Sequence, residues 1–405
     1  MTISAPAPSL LRQQPFLFFL GSRSFSRFAS QIAAVAVGWQ VYELTSSAFV
    51  LGMIGLVQFL PTAVLVFIAG HAVDRFDRKR VVQLCQLAEG LTAVCLAWGT
   101  YAGWLTVPQI FVAMLVVGTA GAFESPAVAA LLPAVVPDGT LQRATATSSG
   151  FGQLATIAGP ALGGFAYAVA PGLPYVVMAG CWLVGGISMG AVMLEHRPAA
   201  AATPDSEDVY AGFRFVWSNP AILGTISLDL FAVLFGGATA LLPIYARDIL
   251  HTGPWGLGIL RAAPAVGALL MTIVLARHTI NRKVGMRMFQ AVIVFGLATV
   301  VFALSSWLWI SLLALAIMGA ADTISVVIRF SLVQLATPDA MRGRVGAVNF
   351  LFINASNQLG QFESGVTAAL MGAMPAAVLG GVGTVAVALL WMKLFPALRN
   401  VERLE

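Results

Sequence analysis

Gly70-His71-Ala72-Val73-Asp74-Arg75-Phe76-Asp77-Arg78-Lys79-Arg80 places seven ionisable side chains in eleven residues. On one side, 44–70 carries no charged residue; on the other, 81–123 carries only Glu89. A dense polar stretch between two apolar segments of membrane length reads as a short, tightly turned aqueous loop. Gly70 predicts close approach of the flanking helices. Asp74 is placed to meet a helix N-terminus across the loop. Arg75, Arg78, Lys79 and Arg80 hold the loop on the cytoplasmic side, against anionic lipid. Basic residues alone would make a plain anchor. The Gly and Asp at this spacing point beyond one.

Working outward, the composition sets the class. Of 405 residues, 59% are hydrophobic and only 10% charged, with a mean hydropathy of +0.88. Soluble domains carry roughly 25% charged residues, so this is a polytopic membrane protein. Long apolar runs without strand alternation predict helices rather than a barrel. The net charge of +5 does not indicate nucleic-acid binding, because the basic residues sit in loops. Cys85, Cys95 and Cys181 lack metal-like spacing and read as buried thiols. No metal or cofactor is expected. The Pro/Ala/Ser-rich 1–11 has no basic n-region, so the first apolar run is expected to be retained.

Twelve spans are predicted, at 15–42, 48–72, 81–101, 106–132, 142–169 and 174–194, then 219–247, 254–278, 285–304, 307–335, 344–370 and 375–397. The expected fold is all-α: twelve transmembrane helices in two six-helix bundles, 1–194 and 219–405, joined by a cytoplasmic linker, 195–218. Within that linker, 209–217 reads as a surface amphipathic helix. An internal repeat supports two halves: Gly118, Pro137, Asp138 and Arg143 recur 201 residues on as Gly319, Pro338, Asp339 and Arg344. The Lys/Arg bias places the even-numbered connections, and both termini, in the cytoplasm. The basic run Arg277 to Arg287 is the second half's degenerate counterpart of the opening loop.

The Gly-x-x-x-Asp-Arg-x-x-Arg-Lys pattern resembles the loop between helices 2 and 3 of the major facilitator superfamily of secondary transporters. Asp77 stands where that family most often has Gly, so the turn is expected to be tighter or differently held. Gly159-Pro160-Ala161-Leu162-Gly163-Gly164 resembles the antiporter motif of drug-exporting members. It reads either as a conformational hinge or as an ordinary kinked, tightly packed helix. Trp39 to Thr45, Ser125 to Pro133, Arg342-Gly343-Arg344 and Gln358 to Gly365 resemble the enterobactin-exporter-like branch. The resemblance spans essentially the whole chain and does not fix a substrate. It implies that Asp74 closes a cytoplasmic gate, with the start of span 11 near Arg342 and Arg344 as the expected partner. Drug antiporters commonly carry an Arg in span 4; 115–123 has none. Either Arg23 or Arg27 takes over that role, or coupling differs.

Ionisable residues inside spans are costly and usually face a cavity or a partner. Arg23, Arg27, Ser30 and Gln31 share one face of span 1. Glu124 lies about nine residues from the end of span 4, near mid-bilayer by helix rise. Asp229 lies in span 7, and Asp322, Ser325 and Arg329 share a face of span 10. Asp322 and Arg329 stand roughly 10 Å apart along the axis, so each is expected to pair with another helix. Span 11 is crowded with Asn349, Asn354, Asn357, Gln358, Gln361 and Glu363. Glu89 reads as peripheral. Arg329, Glu363 and Glu89 read equally as interhelical ion pairs that fix packing. Proton-coupling candidates are Glu124, Asp229, Asp322 and Glu363; substrate-cavity candidates are Arg23, Arg27, Gln31, Phe123, Phe231 and Arg329. Trp39, Phe151, Phe235 and Phe352 are further aromatic candidates.

The function these features imply is a secondary transporter in the cytoplasmic membrane, exporting a siderophore- or drug-like molecule by proton antiport. Its partners are a small-molecule substrate, protons and membrane lipid, and it is expected to be a monomer. Uptake by the same fold, and a non-transporting scramblase or sensor, are the alternatives. No Gly-x-x-x-x-Gly-Lys-[Ser/Thr] phosphate loop and no His-Glu-x-x-His occurs, which argues against a primary pump and a metalloprotease. Amide variants of Glu124 and Asp229 are expected to stay folded, exchange substrate and lose pH-driven accumulation.

Overall fold

The structure, a computed structural model, describes residues 10–137, 139–193, 211–278, 282–338 and 341–403. The proposed linker residues 195–208 and the repeat residues Asp138 and Asp339 lie outside them. All regular structure among the described residues is helical: α1 Gln14–Thr45, α2 Ala48–Arg75, α3 Arg78–Ala102, α4 Val107–Leu131, α5 Leu141–Val169 and α6 Leu173–Gly190. Then come α7 Ala211–Ser218, α8 Pro220–Phe235, α9 Leu242–Ile244, α10 Gly253–Arg277, α11 Val284–Leu304, α12 Leu308–Ala336, α13 Arg342–Met371, α14 Ala373–Leu394 and α15 Pro396–Arg399. Among the described residues, nine helical stretches are long and apolar enough to cross a membrane. The long helices α1, α5 and α13 are not among them. These are the ones the sequence loads with Arg, Ser, Thr, Asn and Gln.

Two compact units form. The first comprises 1–41 and 60–201, the second 42–59 and 202–405. In the first unit, Phe16, Phe19, Val82, Leu131, Met189 and Val192 make an apolar core at one end of the helices. Small residues set the helix spacing. Gly185 and Gly186 of α6 lie against Gln86 and Leu87 of α3, and Gly159 and Gly163 of α5 lie against Gln31 and Ile32 of α1. The α2–α3 turn is only Phe76 and Asp77. Asp77 caps α3 by accepting from the Lys79 backbone N–H at 3.0 Å, and Arg80 stands 3.7 Å from its carboxylate. An N-cap carboxylate thus holds the turn where the family's Gly is missing.

In the second unit, Gly52 of α2 meets Gly365 of α13, Gly267 of α10 meets Ala316 of α12, and Gly296 of α11 meets Gly381 of α14. The span expected at 219–247 is not one continuous helix. It breaks after Phe235 at Gly236-Gly237, passes through a 3-10 turn at Ala238–Leu241, and ends in a π-turn at Tyr245–Ile249. Consecutive glycines end α8 cheaply. Thr384 Oγ1 donates to the Ala232 carbonyl at 3.0 Å, which also accepts the Gly236 backbone N–H at 2.9 Å. The helix expected on the surface at 209–217 is α7, and it is not free. Val216 is buried with Ile222, Val333, Val345 and Val348, and the Phe213 ring lies 6.2 Å from Phe352.

Two further expectations are corrected. A Cβ added at Gly70 would meet nothing within 4 Å, so the close helix approach lies at Gly52 and Gly365 instead. Cys95 is exposed rather than buried, on the α3 face that also exposes Leu91, Val94 and Trp98.

A Cβ at Gly52 would stand 2.9 Å from the Gly365 Cα, which cannot retreat as a side chain can. Gly52→Val should therefore destabilise the purified protein by about 1–3 kcal/mol. Gly121→Ala meets nothing within 4 Å and should stay within about 0.5 kcal/mol of wild type. Thermal unfolding followed by intrinsic fluorescence compares them. Equal midpoints for the two variants would refute the packing assignment.

Candidate functional site

In the first unit, α1, α3 and α4 bring polar groups together around Glu124. Gln86 Nε2 donates to Glu124 Oε1 at 2.7 Å, and Ser26 Oγ donates to Oε2 at 3.2 Å. Ser22 Oγ donates to Gln86 Oε1 at 2.9 Å and so orients that amide. Both carboxylate oxygens of Glu124 therefore face donors. Arg23, half-buried, and Arg27, exposed, lie near enough for their charges to act on it. Gln31 packs instead against Gly159 of α5, which leaves room for its Cβ. Phe123, beside Glu124 in sequence, is half-buried.

Glu89 is not peripheral. It is 2% exposed, its Oε2 finds no hydrogen-bond partner among the described residues, and it lies within electrostatic reach of Glu124. Sequence reading missed Ser22, Ser26 and Gln86. The signal was present: Gln83, Gln86 and Glu89 recur every three residues in an otherwise apolar helix, and Ser22 and Ser26 lie one turn apart.

In the second unit, Arg329 of α12 is paired with Asp229 of α8; the two are 2% and 7% exposed. Arg329 thus pairs across helices and not with Asp322. Asp229, Asp322, Ser325, Val292 and Phe295 line a cavity of about 10 Å³, room for a single water molecule. Asp322 has neither a hydrogen bond nor an ion pair among the described residues. Glu363 accepts from Thr367 Oγ1 at 2.8 Å on its own helix, and no cation bridges it among the described residues. Phe231 packs on Trp391 with centroids 5.2 Å apart, inside a hydrophobic cluster that also takes Phe235. Trp39 packs edge-on against Tyr167 at 6.5 Å. These aromatics serve packing here; Phe151 is exposed.

The opening loop is tied to other helix ends. Arg78 Nη1 donates to the Ala130 carbonyl at 3.2 Å, and Lys79 Nζ donates to the Val192 carbonyl at 2.7 Å. Both carbonyls lie at or just beyond helix C-termini, where cations are favoured. Arg75 is exposed; the Asp74 side chain lies outside the described residues. Pro160 and Gly164 are buried within an α5 that continues through them. At the other end of the second unit, the Tyr42 hydroxyl donates to Asp248, and Arg247 Nη1 donates to the Tyr42 carbonyl at 3.2 Å. The Arg247 guanidinium also lies 5.5 Å over the Tyr42 ring. The π-turn supplies both partners.

The Asp229–Arg329 pair alters one expectation. Removing one partner of a buried pair leaves an uncompensated charge and costs about 3–5 kcal/mol. Asp229→Asn and Arg329→Gln should each lose thermal stability on that scale. The double variant should be more stable than either single one. Additive losses in a thermal double-mutant cycle would show that the two groups are not coupled.

Similarity to known proteins agrees with this architecture. The family model of the Major Facilitator Superfamily matches residues 19–361. The multidrug efflux pump Tap of Mycolicibacterium fortuitum is 28% identical, covering 87% of this chain and 89% of its own. The enterobactin exporter EntS of Citrobacter koseri is 26% identical, covering 98% and 95%. Among solved structures, the nucleoside transporter NupG superposes with a TM-score of 0.71 at 14% identity, covering 94% of this chain and 99% of that one. A D-xylose-proton symporter gives 0.73 at 13% identity, covering 96% and 99%. The chain is a transporter of the Major Facilitator Superfamily.

Proposed function

We propose that this transporter exports a small organic molecule, siderophore- or drug-like, across the cytoplasmic membrane by proton antiport with alternating access. Glu124 is its main proton-handling group. The carrying observation is the setting of that carboxylate, with donors on both oxygens from two other helices and two guanidinium charges nearby. This arrangement suits a carboxylate that is ionised and held. When Glu124 takes a proton, one oxygen becomes a donor facing donors. A proton on Oε2 needs only the Ser26 hydroxyl to reverse and accept, whereas a proton on Oε1 forces the Gln86 amide to turn away and loosens the α3–α4 contact. Proton binding and helix movement are coupled by that exchange of roles.

The relatives named as an efflux pump and an enterobactin exporter support the outward direction. α1, α5 and α13 complete the nine apolar stretches to twelve spans in this reading. The halves are 1–194 and 219–405, with both termini and the 195–218 linker cytoplasmic. Asp322 is the secondary proton candidate, because it lacks the partner that closes Asp229. Asp74 is assigned to the cytoplasmic gate. The chain works as a monomer.

Proteoliposomes with an imposed pH gradient test the reading, using a panel of siderophores, macrolides and dyes. Wild type should accumulate at least one probe against its gradient. Glu124→Gln should keep counterflow of that labelled probe and lose at least tenfold in pH-driven accumulation. Normal accumulation in Glu124→Gln would remove Glu124 from coupling. No counterflow of any probe by wild type would favour a non-transporting role, and accumulation in the opposite direction would favour uptake.

A further inference from the structure

Arg261 is an intramembrane cation outside the proton-coupling residues. It sits eight residues into α10, about 12 Å from that helix end by rise, in a stretch apolar enough to cross a membrane. A cation at that depth is costly unless a cavity or partner receives it. Lipid does not receive it. Val266, Leu269, Leu270 and Ile273 form the exposed apolar stripe of α10. Arg261 lies on a different face, one turn from Leu257 and Ala265, which are 0% and 7% exposed. No acid receives it either. Among the described residues it has neither a hydrogen bond nor an ion pair. The residue as a whole is only half-buried, so it is not closed off on every side.

The other intramembrane arginines show the contrast. Arg329 is closed by Asp229. Arg23 and Arg27 face the charge of Glu124. Arg261 alone, of these four, has no anion supplied by the described chain. It is also held on a firm seat, because Gly267 and Pro264 of α10 pack directly on Ala316 and Gly319 of α12. A planar fork of donors on a rigid helix suits bidentate recognition of a carboxylate or a comparable oxyanion.

We propose that Arg261 is a substrate-recognition residue, and that the transported molecule carries a carboxylate or an equally acidic oxygen group that pairs with its guanidinium. This deepens the transporter reading and rests on it. The anion supplied by substrate replaces the missing protein acid.

The test measures binding and transport separately. Radiolabelled salicylate, a small aromatic carboxylate, is the anionic probe for scintillation-proximity binding to the purified full-length protein. Wild type should bind it saturably. Arg261→Gln should weaken binding at least tenfold, and Arg261→Lys, which keeps the charge but loses the fork, should fall between. Arg277→Gln, at the exposed end of α10, should bind like wild type. If Arg261→Gln unfolds, Arg261→Lys carries the test, with at least a threefold loss expected at unchanged thermal midpoint. Absence of saturable binding to wild type, or equal affinity in folded Arg261 variants, would overturn the proposal. Salicylate binding that depends on Arg261 without counterflow in proteoliposomes would instead sink the transport reading and leave the anion site standing. Dye transport without salicylate binding would sink the anion site alone.

Discussion

A charge in a membrane-spanning helix must be answered by something, and the structure follows from how each is answered. Asp229 and Arg329 answer one another and are nearly inaccessible. Glu124 is answered by an amide, a hydroxyl and two guanidinium charges. The first arrangement fixes packing, since neither member can leave without stranding the other. The second is adjustable, because hydroxyl and amide partners can rotate away at small cost. The two settings thus differ in the kind of partner each charge has.

Close helix contact is the other half of that constraint. Polar groups on different helices meet only if backbones approach, and small residues permit it. Gly185 lets Gln86 sit between α6, α1 and α4, and Ser22 and Glu124 use that position. Gly159 does the same for Gln31. The Gly-Pro stretch of α5 therefore acts here as a packing surface for α1.

Much of this was legible in the sequence, and the failures have physical causes. Nine of the expected spans coincide with helical stretches apolar enough to cross a membrane among the described residues, because hydropathy registers burial and lipid exposure alike. The α2–α3 loop was legible because charge density and chain reach left no other placement. Its glycine was misread, since a small residue permits approach without requiring it. Gly52 and Gly365, which do touch, are separated by most of the chain, and no local pattern links them. Glu89 was misread because distance from a span's end does not reveal which face it shows. Asp229 had no visible partner for the same reason: Arg329 lies a hundred residues away. The α8 break was readable in Gly236-Gly237 and passed over because the surrounding run is uniformly apolar. Arg261 was passed over although a lone cation in an apolar run is among the plainest signals available.

The internal repeat sharpens what distinguishes the two halves. Gly118 and Gly319 occupy equivalent sequence positions, yet Gly319 seats α12 on Pro264 of α10, while Glu124 and Pro126 follow Gly118 where Ser325 and Val327 follow Gly319. A common scaffold position therefore carries an acid in one half and a hydroxyl in the other. The second half moves its acid three residues earlier, to Asp322, and adds the Asp229–Arg329 pair beside it. Divergence of this kind is expected when one half specialises in a carboxylate with exchangeable partners and the other in a fixed pair. Arg261, a cation of the second half without a partner among the described residues, is then free to meet an anion that those residues do not supply.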